Sequence, residues 1–309
     1  MVSSCPGCRY YSCTIGIPET SLMSQSTIPY KTQSCDTTIA AELAQFAIWR
    51  SWYPTQRATH LNNNTRSARC SAWRIAQITL GSQTKTQQID YFLGKILDQE
   101  WHDHFQNQGE IQMTGAIEEA IIVADILESL EIPYLIGGSV ASGIWGEMRY
   151  TQDIDIVAHI QESHIEAVLN AFSPRFYLSE IAIREAIVGG GSFNLIDNET
   201  AWKIDIFILT VDPFKQSKFQ RRQQISVNET GRTLHFSSPE DTILQKLLWY
   251  RMTQKRSERQ WRDILGILKL QNTLLDLAYL QQWATVLQLF EELEQAFIES
   301  GYSTFHNRA

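Results

Sequence analysis

Long apolar runs are missing from this chain. None of its 309 residues belongs to a stretch of about eighteen consecutive apolar residues, so no membrane-spanning helix is expected. The N-terminus also lacks a basic segment followed by an apolar core, so no secretory signal is expected and the cytoplasm is the expected compartment. Cysteine is absent beyond residue 70. Of the five present, Cys5, Cys8 and Cys13 supply part of a zinc-ligand pattern, and Cys35, Cys70 and His60 are too scattered to complete it, so incidental cysteines are expected. No internal repeat and no low-complexity tract occurs.

An excess of positive charge is missing too. The formal net charge is −8, made up of +1 over residues 1–112 and −9 over 113–309. An acidic domain does not gather nucleic acid by bulk attraction. Only a local wall could do so, for which Arg221, Arg222, Lys255, Arg256, Arg259 and Arg262 are the candidates, and a solvated face explains those charges equally well.

What is present suffices for a core, with 43% of the residues apolar, and the length allows two domains or one with extensions. Residues 1–112 are rich in Ser, Thr, Gln and Asn. Helices are conceivable over Ile39–Trp52 and Ile89–Phe105, but the joining segments, Gly16–Thr38 and Tyr53–Thr86, are long polar loops. The expectation is a poorly ordered extension over 1–112, with Met113 as a candidate start. A catalytic domain is expected over 113–212, a helical region over 213–300 and a tail over 301–309. The fold class expected is α/β (α+β), a small mixed sheet followed by helices.

From Thr114, a plausible N-cap, apolar residues recur at helical spacing until Pro133. Tyr134-Leu-Ile136 then reads as a buried strand, Gly137-Gly138 as a tight turn and Ser139–Glu147 as a short helix. Thr151–Ala158 alternates, which places Asp153 and Asp155 on one side of a strand. Ser179 is a candidate cap for a helix ended by Gly189-Gly190-Gly191. Ser192–Ile196 and Trp202–Leu209 read as a hairpin whose second strand carries Lys203 and Asp205 on one face. Ser238-Pro-Glu-Asp241 and Ser257–Gln260 are helix starts. The second of these helices is expected to turn Arg259, Arg262, Asp263 and Gly266 to solvent. Trp145, Trp202, Trp249 and Trp261 are expected in the core, and Asp241 is expected to cap its helix.

A glycine turn beside three strand-borne aspartates suits metal-dependent nucleotidyl transfer. Two Mg²⁺ ions, held by a few carboxylates and phosphate oxygens, serve attacking and leaving oxygens together. Asp153, Asp155 and Asp205 are the candidate catalytic and metal-binding residues. A third acid on a neighbouring strand is placed to take the proton of the attacking hydroxyl. Gly138 and Ser139 at a strand-to-helix turn, with Lys203 and Lys246, are the candidates for holding a nucleoside triphosphate. Each piece alone is ordinary surface chemistry; their order along one strand–turn–helix–strand frame is what points to a site.

Gly138-Ser139, Arg149, Asp153 and Asp155, Lys203-Ile-Asp205, Pro239-Glu-Asp241 with Lys246, and Arg259 with Arg262-Asp263 together resemble the nucleotidyltransferase superfamily of polymerase-beta type. Within it, the chain resembles the AbiEii/AbiGii toxin-type nucleotidyltransferases, over roughly residues 115–290. That resemblance implies transfer of an NMP from an NTP to RNA, a protein or a small molecule. It implies Mg²⁺ at Asp153, Asp155 and Asp205, with Lys246 and Asp263 shaping the far side of the cleft. It further implies a toxin with a cognate antitoxin. The competing expectation is a catalytically silent fold that serves as a binding partner.

Overall fold

The alternating stretches at 153–158 and 203–208 become neighbouring strands of a seven-stranded mixed sheet. The structure, a computed structural model, describes residues 11–13, 28–97 and 111–302. In chain order these form β1 (Tyr11–Cys13), β2 (Ile28–Tyr30), α1 (Ile39–Ser51), α2 (Pro54–Leu80), α3 (Lys85–Ile96), α4 (Ala116–Ser129), β3 (Tyr134–Ile136) and α5 (Gly138–Trp145). Next come β4 (Asp153–Ala158), α6 (Ile165–Phe172), β5 (Phe176–Tyr177), α7 (Glu180–Gly189), β6 (Ser192–Asp197) and β7 (Lys203–Ile208). The chain continues through α8 (Pro213–Gln220), β8 (Gln223–Ser226), β9 (Thr233–Phe236), α9 (Pro239–Met252), α10 (Glu258–Gln271), α11 (Leu277–Val286) and α12 (Phe290–Glu299). The expected α/β class, a mixed sheet followed by helices, is what the chain adopts. No helix among the described residues is long and apolar enough to cross a membrane.

Two units divide the chain: Pro54–Ile144 with Met148–Ser238, and Met1–Tyr53 with Trp145–Glu147 and Pro239–Ala309. The first contains the sheet, in the order β5-β6-β7-β4-β3-β9-β8. Ile154, Ile156, Ile204, Ile206, Phe193 and Leu195 are buried, and the residues between them on β4 and β7 are half-buried. That is the signature of strands with one apolar face. The β6–β7 hairpin closes through Asp197, whose carboxylate accepts from the amides of Glu199 (2.7 Å) and Thr200 (3.0 Å).

Residues 28–97 differ from the expected poorly ordered extension: they contain three helices, and the predicted polar loop over 53–86 is mostly the 27-residue helix α2. The physical reason lies in its buried stripe. Arg57, Ala58, Leu61, Thr65, Arg69 and Ala76 face inward, so helical periodicity is present but half of it is carried by polar residues. Arg57 Nε donates to the Ile144 carbonyl (2.7 Å), at the end of α5. Arg69 donates to the Thr200 carbonyl and lies over the Trp202 ring, 4.8 Å from its centroid. Ala76 on α2 and Ile89, Phe92 and Leu93 on α3 share a core with Ile196 and Ala201. Thr114 does not cap α4; Gly115 does. Glycine has no capping oxygen, so α2 provides it. Asn62 Oδ1 accepts from the amides of Ile117 (3.1 Å) and Glu118 (3.2 Å), and Thr65 Oγ1 from that of Ala116 (3.0 Å). The expected continuation of α3 to Phe105 lies outside the described residues, as do Cys5, Cys8 and most of the expected tail at 301–309. Cys35 and Cys70 are exposed free thiols.

Under α2 lies a buried acid pair. Glu119 on α4 accepts from Thr114 Oγ1, and Asp197 accepts from Arg175. Burial, and then the charge of Asp197, push the Glu119 carboxyl up to about 7.

Residues 213–238, expected to open the helical region, belong instead to the sheet unit. Leu234 and Phe236 are fully buried on β9, which runs parallel to β3. The helical unit begins at Pro239. Its helix α10 is buried on most of its circumference, so the expected solvent face of Asp263 and Gly266 is corrected. Lys246 Nζ lies 2.8 Å from Asp263 Oδ2. A Cβ on Gly266 would stand 3.1 Å from the Glu147 backbone, and one on Gly146 only 2.7 Å from the Ile267 amide. Small residues let these segments touch where solvent was expected. A second buried pair joins Lys269 to Glu42, with Lys269 Nζ 4.2 Å from the Tyr30 ring centroid. Asp241 is buried and accepts from Tyr279 Oη (2.6 Å). Trp145, Trp202 and Trp261 are buried, and Trp249 is half-buried.

Candidate active site

The site is built by strand register. β4 and β7 run parallel with Asp155 opposite Asp205 and Asp153 opposite Lys203. Paired residues on adjacent strands share a face. The four charged groups therefore stand side by side, on the face away from the buried isoleucines. Asp153, Asp155 and Asp205 are brought together on this surface, although they come from strands separated by α6, β5, α7 and β6.

β3 delivers the glycine turn to the same place. The Gly137 amide donates to the Asp155 carbonyl (2.8 Å). Gly138 has φ +55°, which L side chains rarely adopt. A Cβ there would lie 1.7 Å from Asp155 Oδ2. Only glycine lets that carboxylate approach the backbone where α5 begins. The exposed amides and partial positive charge of a helix N-terminus favour anions there, a carboxylate or a phosphate.

Three further contacts hold this frame. Thr151 Oγ1 donates to Asp153 Oδ1 (3.0 Å). Arg149 Nη2 donates to Ser139 Oγ (2.8 Å), and Arg149 Nη1 to the Tyr150 carbonyl (3.0 Å). Lys203 Nζ lies 2.9 Å from Asp205 Oδ1 and 3.0 Å from Oδ2, with side-chain exposures of 22% and 15%. An ammonium thus sits on the third carboxylate.

That pairing bears on metal binding. Among the described residues, no three His, Cys, Asp or Glu side chains form a ready cluster for a metal ion. The donor set is nonetheless of the right chemistry, since carboxylate oxygens suit a hard cation such as Mg²⁺. The Gly138 turn also leaves the Asp155 carboxylate room that a side chain would fill. The residues fit a metal held jointly by carboxylates and phosphate oxygens better than one held by protein alone.

Lys246, the remaining candidate, belongs to the helical unit. Its side chain is 1% exposed and bonded to Asp263 at 2%, and its Nζ lies 5.4 Å from the Trp249 ring centroid. Two residues on the sheet face escaped the sequence reading. Thr151 precedes Asp153 by one strand period, which is a usable signal. Asn194 stands opposite Asp205 on β6, a placement visible only once strand pairing is known.

No family model matches the chain, and no curated protein matches it. Among the solved structures similar to it are the following three. An antigenic nucleotidyltransferase-like protein from Paracoccidioides brasiliensis is 22% identical, with a TM-score of 0.37, over 62% of this chain and 97% of that one. The lincosamide antibiotic adenylyltransferase LnuA, lincomycin-bound, is 14% identical, with a TM-score of 0.36, over 52% and 99%. The antibiotic-resistance factor ANT(2'')-Ia is 12% identical, with a TM-score of 0.34, over 57% and 98%. At such scores the function of the site has to be read from its own geometry.

Proposed function

We propose that the chain is an enzyme that transfers a nucleoside monophosphate from a nucleoside triphosphate to a hydroxyl acceptor, which is an RNA, a protein or a small molecule. The observation that carries this reading is the Asp155–Asp205 pairing packed against the Gly138 turn. Asp153, Asp155 and Asp205 would hold Mg²⁺, which when bound neutralises phosphate charge and eases ionisation of the acceptor.

The remaining work falls to the chain's own groups. The amides at Gly138 and Ser139 bind the triphosphate at the start of α5. Arg149 fixes the Ser139 hydroxyl. Lys203 directs its ammonium at the phosphates and Asp205 takes the acceptor's proton. The acceptor oxygen bonds to the α-phosphorus as the bond to the bridging oxygen of the β-phosphate breaks, and pyrophosphate leaves.

One observation favours a second reading, a catalytically silent binding fold: the Lys203 ammonium already neutralises Asp205. One experiment separates the two. The full chain is incubated with α-labelled NTPs, Mg²⁺ and total cellular RNA, protein or small molecules. Label transfer is expected with wild type and absent with Asp153→Ala, while Asp205→Asn slows it by ~10²–10⁴-fold. No transfer by the wild type to any fraction overturns the enzyme reading and leaves the silent fold.

A further inference from the structure

None of the candidate site residues lies on α2, yet the inner stripe of that helix reaches the segments that carry them. Arg57 Nε donates to the Ile144 carbonyl, and a Cβ on Gly143 would stand 3.0 Å from the Leu61 side chain, so α2 lies directly on α5. About one turn further along, Asn64 Nδ2 donates to the Met148 carbonyl (3.0 Å). Residues 148–152 belong to neither helix nor strand, so their backbone groups have no ladder to join and look to side chains. Asn64 holds the first carbonyl of this stretch, Arg149 holds that of Tyr150, and Gln152 Nε2 donates to the Lys95 carbonyl on α3 (3.3 Å). The stretch so held carries Arg149 and Thr151, the partners of Ser139 and Asp153. Asn62, Asn63 and Asn64 sit in the middle of α2, where asparagine is a weak helix former. Asn62 takes the first amides of α4, Asn63 is exposed, and the half-buried Asn64 is directed at Met148.

We infer that Asn64 is a positioning residue for the triphosphate, acting through Met148 and Arg149 on Ser139. This rests on the triphosphate-binding part of the reading above. Arg149 has only donors to offer, so the Ser139 oxygen accepts from it and the hydroxyl hydrogen is directed elsewhere. At the start of α5 the acceptor for that hydrogen is a phosphate oxygen. The Met148 carbonyl and the Arg149 amide share one rigid peptide plane, so holding the carbonyl fixes the plane from which the Arg149 side chain departs. Without Asn64 that peptide is released to rotate, and a displacement of about 1 Å suffices to degrade a positioned contact. Asn64 therefore acts on triphosphate binding while touching no phosphate itself.

The test measures binding of each α-labelled NTP with Mg²⁺ to the full chain by equilibrium dialysis, alongside label transfer to a cellular extract. Asn64→Ala is expected to weaken NTP binding about tenfold, the worth of one or two hydrogen bonds. The urea-unfolding midpoint should change little, because the better helix propensity of alanine offsets the lost bond. Asn64→Asp, which sets a carboxylate against the Met148 carbonyl, weakens binding further. Asn63→Ala, the same exchange on the exposed face, leaves binding within about twofold of the wild type. In an Arg149→Ala chain, adding Asn64→Ala changes binding by less than about twofold, since the path it acts through is already cut. An Asn64→Ala variant that binds NTP as the wild type does overturns the inference, as does an undiminished effect in the Arg149→Ala background. In those cases, label transfer that still disappears in Asp153→Ala leaves the transfer reading intact. NTP binding that follows the expected pattern without any label transfer keeps the role of Asn64 and removes the transfer reading. An absence of NTP binding by the wild type removes both.

Discussion

The chain contains two lysine–aspartate pairs of nearly equal length in very different surroundings. Lys203–Asp205 spans 2.9 Å on the open face of the sheet, and Lys246–Asp263 spans 2.8 Å inside the helical unit. The first pair keeps 22% and 15% of its side-chain surface, the second 1% and 2%. Water and a phosphate can compete for the first ammonium. The second ammonium has left water altogether and depends on its partner. The difference teaches that charge alone does not mark a functional lysine. An exchangeable counterion suits catalysis, whereas a desolvated one fixes how two helices meet.

The contrast is broken most severely by removing one member of the buried pair. Lys246→Met leaves the Asp263 carboxylate buried without its ammonium and is expected to cost about 3–5 kcal/mol in urea unfolding. Adding Asp263→Leu to that variant should recover most of the loss. Additive losses would show that the two side chains act independently.

A buried acid beside another acid sharpens the comparison. The Glu119 carboxyl, pushed up to about 7 by burial and by Asp197, ionises near 4.5 in the unfolded chain. Between those values the folded form holds a proton that the unfolded form has released. This contribution to stability is therefore full below about pH 4.5 and is lost as pH rises through 7. Glu119→Gln should flatten that slope and raise stability at pH 8 by about 2 kcal/mol, measured by denaturation at pH 5 and pH 8. An unchanged slope would assign the pH dependence to other groups.

The smallest effect on the fold is expected at the open pair. Lys203→Met should change stability by no more than about 1 kcal/mol. Its expected consequence is kinetic, a rise of about tenfold in the NTP concentration for half-maximal rate. A large stability loss without that shift would make the two lysines alike.

Much of the sheet was legible in the sequence because its strands bury one face. Ile154 and Ile156, alternating with Asp153 and Asp155, reveal strand and face together. The same holds for Lys203–Ile208. Helix starts at Ser179 and Ser257 were legible because their caps are local, and the one at Pro239 because proline suits a first helical position. Helix α2 was not, because Arg57, Thr65 and Arg69 occupy its inward stripe. Asp263 read as a solvent-facing acid because its partner Lys246 lies on another helix, and the buried pairing leaves no mark in local periodicity. The pairing of Asn194 with Asp205 depends on which strands adjoin, which no single strand encodes.

The parallel pairing of β4 and β7 also sets the order in which the site can come into being. A hairpin brings its strands together through a short turn, but Asp155 meets Asp205 only after α6, β5, α7 and β6 have been accommodated between them. The long loop entropy of that crossover must be overcome before the contact offers any return. The Gly138–Asp155 half of the site, from adjacent segments, can form early. The half that completes it, Lys203 and Asp205, waits on the topology of the sheet, so a partly folded chain carries the glycine turn and the paired acids of β4 without the third.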